Sequence, residues 1–271
     1  MTGKAVLVGL THVDPDRDPN SLYRNGCEKC VQNLQDVGKI LSDLGINLVP
    51  LPDEAAHWTV VRSHLEDASQ LGPDDIFIFY FAGHGIIDGS NQTTDLALFD
   101  YNVPIQTVGR LLADVGAGRV ISILDCCNSD DILSDSSLRW RSASALFEAV
   151  RRTSDHPRLL GPELFQAGVI PDTIRPQIIH YGAARYSTDG GAFTDALLAT
   201  WKEGFRGGYR KFFCAIFCVV RKLQLPVYRL HGPQGGVGDT FEAQVPFTVL
   251  TPDKPTMIVS DGIDNGKGCG C

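Results

Sequence analysis

Short apolar runs alternate along the chain with longer stretches in which apolar residues recur every three or four positions, and this alternation predicts its elements. Ala5-Val6-Leu7-Val8-Gly9-Leu10 reads as a buried strand, followed by a polar loop rich in Asp and Pro over residues 11–25. Cys27, Cys30, Val31, Leu34, Val37, Leu41 and Leu44 then share one helical face, and Gly45 stands where a carboxyl-terminal cap is favoured. Residues 46–51 predict a second strand. Trp58, Val61, Leu65 and Ala68 give a second helical stripe that stops at Gly72-Pro73. Ile76-Phe77-Ile78-Phe79-Tyr80-Phe81 is a wholly apolar strand, Leu96-Ala97-Leu98-Phe99 a short hairpin strand, residues 108–115 a helix, and Val120-Ile121-Ser122-Ile123-Leu124 another buried strand. Repeated strand–helix alternation predicts an α/β fold with a mostly parallel sheet, helices on both faces and right-handed crossovers.

The rhythm weakens over residues 130–176, which carry Ser, Asp, Pro and the arginines Arg139, Arg141, Arg151, Arg152, Arg158 and Arg175. This stretch reads as a long connection, partly helical around residues 143–150. Residues 177–182 resume as a strand, followed by helices after Gly190-Gly191-Ala192-Phe193-Thr194 and through Phe213, Ile216, Phe217, Val220 and Leu223. Phe241-Glu242-Ala243-Gln244-Val245-Pro246-Phe247 is expected to close the sheet as a strand.

Two of these strands end on reactive side chains: Ala82-Gly83-His84-Gly85 after the third strand and Asp125-Cys126-Cys127-Asn128 after the 120–124 strand. In an open parallel sheet the carboxyl edge is where ligands bind, because loops leaving neighbouring strands diverge there. A thiol attacks a carbonyl as thiolate, and an imidazole beside it can take its proton. Strand alternation turns Cys126 and Cys127 to opposite sides, so only one faces the histidine. Gly83 and Gly85 leave His84 little to pack against, which favours a chemical role over a core one.

Tyr80-Phe81-Ala82-Gly83-His84-Gly85 and Asp125-Cys126-Cys127-Asn128-Ser129-Asp130 resemble the histidine and cysteine motifs of caspase-like (clan CD) cysteine peptidases, nearest to metacaspases. Gly190-Gly191-Ala192-Phe193-Thr194 resembles the start of their helix after the small-subunit strand, and the likeness spans residues 4–248. It implies the caspase-like fold, with residues 1–129 as a large-subunit-like half, 130–176 as an intersubunit-type linker, 177–250 as a small-subunit-like half of the same domain and 251–271 as a flexible tail. It implies Cys127 as nucleophile and His84 as base, with the backbone N–H groups of Gly85 and Cys127 forming an oxyanion hole. It further implies Asp125 as the carboxylate that receives a substrate Arg or Lys, with Ala82 beside the pocket. Self-cleavage at the linker arginines would follow from that preference. Arg185 lies where caspase-type members gather arginines for acidic substrates, an alternative specificity.

The chain departs from the pattern at three positions. Ala82 stands for a serine, which weakens substrate anchoring. Asn128 stands for a histidine, and Asp130 for a glycine, which puts a negative charge near the thiolate. These changes motivate the alternative of a catalytically silent scaffold or regulator. Calcium-dependent relatives carry an acidic pair where this chain has Pro104-Ile105-Gln106-Thr107, so no cofactor is expected, although Asp130, Asp131 and Asp135 offer oxygen ligands of the kind calcium takes.

Composition narrows the partners. A formal charge of −8 over 271 residues disfavours nucleic acid, whose binding draws on clustered Lys and Arg. Protein or peptide substrates remain. Residues 5–10 are too short a run for a secretion signal and residues 212–220 too short for a membrane span, so a cytoplasmic protein with reduced thiols is expected. Cys27-x-x-Cys30 and the Cys214 and Cys218 pair both read as core packing. The terminal Cys269-Gly270-Cys271 resembles the lipidated ends of Rab GTPases, but no GTPase body accompanies it, so it reads as an unmodified tail.

Overall fold

The computed structural model describes residues 1–18, 27–88, 93–129, 132, 176–183, 190–202, 205–232 and 241–249. Its centre is a six-stranded sheet built from β1 (Gly3–Gly9), β2 (Asn47–Pro52), β3 (Ile76–Ala82), β7 (Arg119–Asp125), β8 (Gln177–Gly182) and β9 (Val227–His231), in the spatial order β2-β1-β3-β7-β8-β9. All neighbours pair in parallel except β8 and β9, which are antiparallel. A second, three-stranded antiparallel sheet, β4 (Gly85–Asp88), β5 (Thr93–Ala97) and β6 (Asn102–Pro104), leaves the carboxyl end of β3.

The apolar runs become central strands because both faces of the sheet are covered. Ile76, Ile78, Tyr80 and Ala82 of β3 face one core with α1 (Cys30–Asp43), α4 (Ala192–Lys202) and α5 (Tyr209–Val220). Phe77, Phe79 and Phe81 face the other, with α2 (Trp58–Asp67) and α3 (Ile105–Ala113). The sequence thus folds as an α/β sandwich whose strand tips converge on one edge.

Gly45 caps α1 as expected. Its φ is +78°, its amide donates to Ser42 O at 2.9 Å, and the Ile46 amide reaches Leu41 O at 3.0 Å. These are the paired bonds of a Schellman motif.

Three expectations fail. Residues 241–247 are not a strand; Phe241 and Phe247 pack as plugs on Tyr209, with ring centroids 5.1 and 6.1 Å away. The Phe247 amide donates to the Tyr209 hydroxyl at 2.7 Å, and buried Arg119 donates to Gln244 Oε1 and Thr248 O at 3.0 and 3.1 Å. The closing edge is instead Val227–His231, where Arg229 and His231 are buried and obscure the apolar pattern. The hairpin strand is also shifted from residues 96–99 to Thr93–Ala97. Cys218 is disulfide-bonded, contrary to the reduced state expected of it, while Cys27, Cys30, Cys126, Cys127 and Cys214 take part in no disulfide.

A Cβ at Gly45 meets nothing within 4 Å, so Gly45→Ala tests the left-handed backbone alone. It is expected to lower the unfolding free energy by about 1 kcal/mol in urea titrations, with Gly45→Asn costing less.

Candidate active site

Adjacent parallel strands deliver His84 and Cys127 to the same edge. Ala82 at the end of β3 pairs in register with Asp125 at the end of β7, and the Gly83 amide continues the ladder to Asp125 O at 3.3 Å. His84 is anchored by its carbonyl, which accepts from the Ala97 amide at 3.0 Å. Beyond this point the two segments touch. A Cβ on Gly85 would fall 1.9 Å from Cys127 O and 3.2 Å from Cys126 Sγ, so only glycine fits this approach.

The turn over residues 126–129 separates the two thiols as alternation requires. Cys126 is fully buried in the core with Phe81 and Leu124, whereas Cys127 is partly exposed. Burial pushes the Cys126 thiol well up, with the neighbouring Cys127 and Asp125 adding to it, which disqualifies it as a thiolate at neutral pH. Asn128 takes a φ of 56°, a left-handed conformation that asparagine tolerates, and Ser129 Oγ donates back to Cys126 O at 2.9 Å.

The far side of the turn is held by β8. A Cβ on Gly182 would lie 1.9 Å from Ser129 O, and His180 Nε2 donates to that same carbonyl at 2.9 Å. A carbonyl only accepts, so the proton sits on Nε2, and His180 Nδ1 accepts from Ser122 Oγ at 3.2 Å. Sequence reasoning missed His180, because a histidine inside a strand carries no signal of what lies across from it.

Asp125 is buried and only half satisfied. Its Oδ2 accepts from the Thr194 amide and hydroxyl at 3.1 and 2.6 Å, while Oδ1 has no hydrogen-bond partner among the described residues. Tyr80 completes the chain by donating to Thr194 Oγ1 at 2.8 Å. Burial raises the Asp125 carboxyl to about 6; the Thr194 bonds pull it down, and Cys27 and Asp195 push it up. Thr194 belongs to the quoted Gly-Ala-Phe-Thr run, yet its role as the partner of Asp125 was not foreseen.

The core reading of Cys27 and Cys30 holds as far as burial goes, but it omits a neighbour. The neighbouring Cys30 thiol, opposed by burial and helped by His84, brings the Cys27 thiol down to about 6.

Ala82 is fully buried at the end of β3, against the core rather than open space. Arg185, the linker arginines, Asp130, Asp131, Asp135 and Cys269-Gly270-Cys271 lie outside the described residues. Pro104 precedes α3 as its amino-terminal cap. Among the described residues, the group placed to share a metal is His12, Asp53 and Glu54 at the tips of β1 and β2. There Asp53 already ties the loop by accepting from the Thr11 amide at 2.7 Å, and His12 lies between Asp53 and Glu54 at 3.4 and 3.2 Å.

A family model described as the caspase domain matches residues 2–229. The crystal structure of protein GSU0716 from Geobacter sulfurreducens is similar at 26% identity and a TM-score of 0.66, covering 93% of this chain and 100% of that one. No curated protein matches the chain.

The raised Asp125 carboxyl has a thermodynamic signature. The folded state holds this proton more tightly than the unfolded chain, whose value is near 3.8, so stability falls as pH rises from there through about 6. The loss amounts to about 3 kcal/mol. Asp125→Asn keeps an acceptor for Thr194 and is expected to flatten this slope when urea unfolding is followed between about pH 4 and 7.

Proposed function

The chain belongs to the caspase-domain family of peptidases, and we propose that it is a cysteine endopeptidase in which Cys127 attacks the scissile carbonyl and His84 carries the proton. The supporting observation is the contact between the two strand tips, where the Gly85 backbone lies against the Cys127 carbonyl with no room for a side chain. Cys126 is withdrawn into the core, leaving Cys127 as the outward thiol.

In the substrate complex the His84 imidazole takes the proton of the Cys127 thiol. The thiolate then adds to the carbonyl carbon, and the oxyanion is received by the Gly85 and Cys127 amides, each donor being worth about 3 kcal/mol. His84 returns the proton to the leaving amine. Water, deprotonated by the same imidazole, hydrolyses the acyl-enzyme.

The half-satisfied carboxylate supports a basic residue before the scissile bond. A guanidinium or ammonium supplies the donor that Asp125 Oδ1 lacks and offsets the burial of its charge, whereas an acidic side chain would be repelled. Arg139, Arg141, Arg151, Arg152, Arg158 and Arg175 are the sites this preference would select within the chain itself. Protein or peptide substrates fit the family. No helix among the described residues is long and apolar enough to cross a membrane, and we place the enzyme in the cytoplasm, without a calcium requirement.

Cys127→Ala and His84→Ala are each expected to reduce kcat/KM on an arginyl reporter peptide by at least about a thousandfold. The paired aspartyl peptide should be cleaved far more slowly by the wild type. Intact mass of the wild type should show fragments ending at linker arginines that are missing from Cys127→Ala. Absence of cleavage on every peptide would leave the chain a non-catalytic binding module.

A further inference from the structure

Strand β4 follows His84 directly and pairs on one side with β5; among the described residues no strand pairs with its other side. The His84 carbonyl accepts from the Ala97 amide at 3.0 Å, and Gly85 stands opposite Leu96, Ile86 opposite Asp95 and Ile87 opposite Thr94. In an antiparallel pair, residues that bond to the partner alternate with residues that do not. The His84 carbonyl and both backbone groups of Ile86 therefore face β5, whereas the N–H and C=O of Gly85 and Ile87 face outward, about 7 Å apart along the strand. Gly85 has no side chain to cover this edge, and Ile87 is 42% exposed. Open edges are normally blunted by charge or proline. At the other side of the small sheet β6 ends on Pro104, while β4 carries neither before Asp88.

We propose that this edge binds the part of a protein substrate that follows the scissile bond, as a short added strand running parallel to β4. The inference rests on the peptidase reading above, in which His84 returns a proton to the leaving amine and the Gly85 N–H receives the oxyanion. The leaving amine belongs to the first residue after the scissile bond, so that residue lies beside His84, at the point where β4 begins. The residue before the bond is held elsewhere: Asp125 is bonded to Thr194 of α4, on one face of the central sheet. Leu96 and Val103 seat the small sheet on the opposite face, with α3. The basic side chain and the leaving segment thus part to opposite faces of the sheet.

The register follows from the pairing. An extended chain turns the backbone groups of every second residue to one side, at the same spacing as Gly85 and Ile87. In a parallel pair each inward-facing residue bonds two residues of its neighbour, one through N–H and one through C=O. With the Gly85 N–H on the carbonyl oxygen before the scissile bond, the Gly85 C=O accepts from the N–H of the second residue after it. The C=O of that same residue accepts from the Ile87 N–H. The contacts read main chain and are indifferent to side-chain identity, as in other cases of strand addition. They discriminate against proline, or any N-substituted residue, at the second position after the cut, because it has no hydrogen to give to Gly85.

The test has two arms. In the first, the wild type cleaves three peptides that share one arginine and the four residues beyond it: unmodified, N-methylated at the second residue after the scissile bond, and N-methylated at the third, whose N–H points away from β4. Methylation at the second residue is expected to lower kcat/KM at least about tenfold, and at the third by no more than about twofold. Equal losses would overturn the proposal. In the second arm, Ile87→Pro removes the outward donor at a place where an edge strand accepts proline, and is checked for a native thermal transition. It is expected to lose several-fold more kcat/KM on the unmodified peptide than on an arginyl aminocoumarin amide, which has no residue after the scissile bond. Ile87→Thr, which keeps the N–H, is expected to show no such difference between the two substrates. A proline variant slowed equally on both would overturn the proposal, as would a dimer that Ile87→Pro splits while cleavage ignores N-methylation, which would assign the edge to a second copy of the chain. Cleavage indifferent to methylation counts against this subsite alone, whereas no cleavage of any substrate counts against the peptidase reading and the subsite with it.

Discussion

The architecture of the site depends on how closely three chain segments can approach at one sheet edge. The turn over residues 126–129 lies between Gly85 on one side and Gly182 on the other, and at both a Cβ would stand 1.9 Å from a carbonyl oxygen of the turn. Parallel pairing of β3 with β7 and of β7 with β8 brings the segments to the same height. Glycine permits the last approach, and His180 and Ser129 fix it by hydrogen bonds to carbonyls of the turn. Cys127 is consequently presented by a braced backbone, which suits a nucleophile that must meet a carbonyl at a set angle.

Charge at the same edge is arranged with little compensation. Asp125 keeps one oxygen on Thr194 and leaves the other without a donor, so its burial costs stability that a cationic substrate would return. Cys27 and Cys30 form a second polarised pair, on which His84 also acts. Unsatisfied buried groups at a strand edge are poor structural elements, and they are informative about chemistry for that reason.

Much of the fold is legible in the sequence because β1, β3, β7 and β8 are buried on both faces and read as mostly apolar runs, wholly so in β3. The first helix is legible down to its glycine cap. The closing strand is not: Arg229 and His231 point into protein and imitate a surface segment, while Phe241 and Phe247 imitate strand alternation although they act as separate plugs on Tyr209. At the site, His84, Cys127 and Asp125 stand out through their glycine and strand-end contexts. The roles of Thr194 and His180 depend on pairings across 69 and 51 positions of chain, which no local pattern encodes.

The most direct measurement is a crystal structure of the protein after reaction with a peptidyl-arginyl chloromethyl ketone. The account predicts a bond from Cys127 Sγ to the inhibitor carbon, with its ketone-derived oxygen facing the Gly85 and Cys127 amides and its guanidinium on Asp125 Oδ1. Alkylation of Cys27 in place of Cys127, or an adduct whose guanidinium lies away from Asp125, would contradict it.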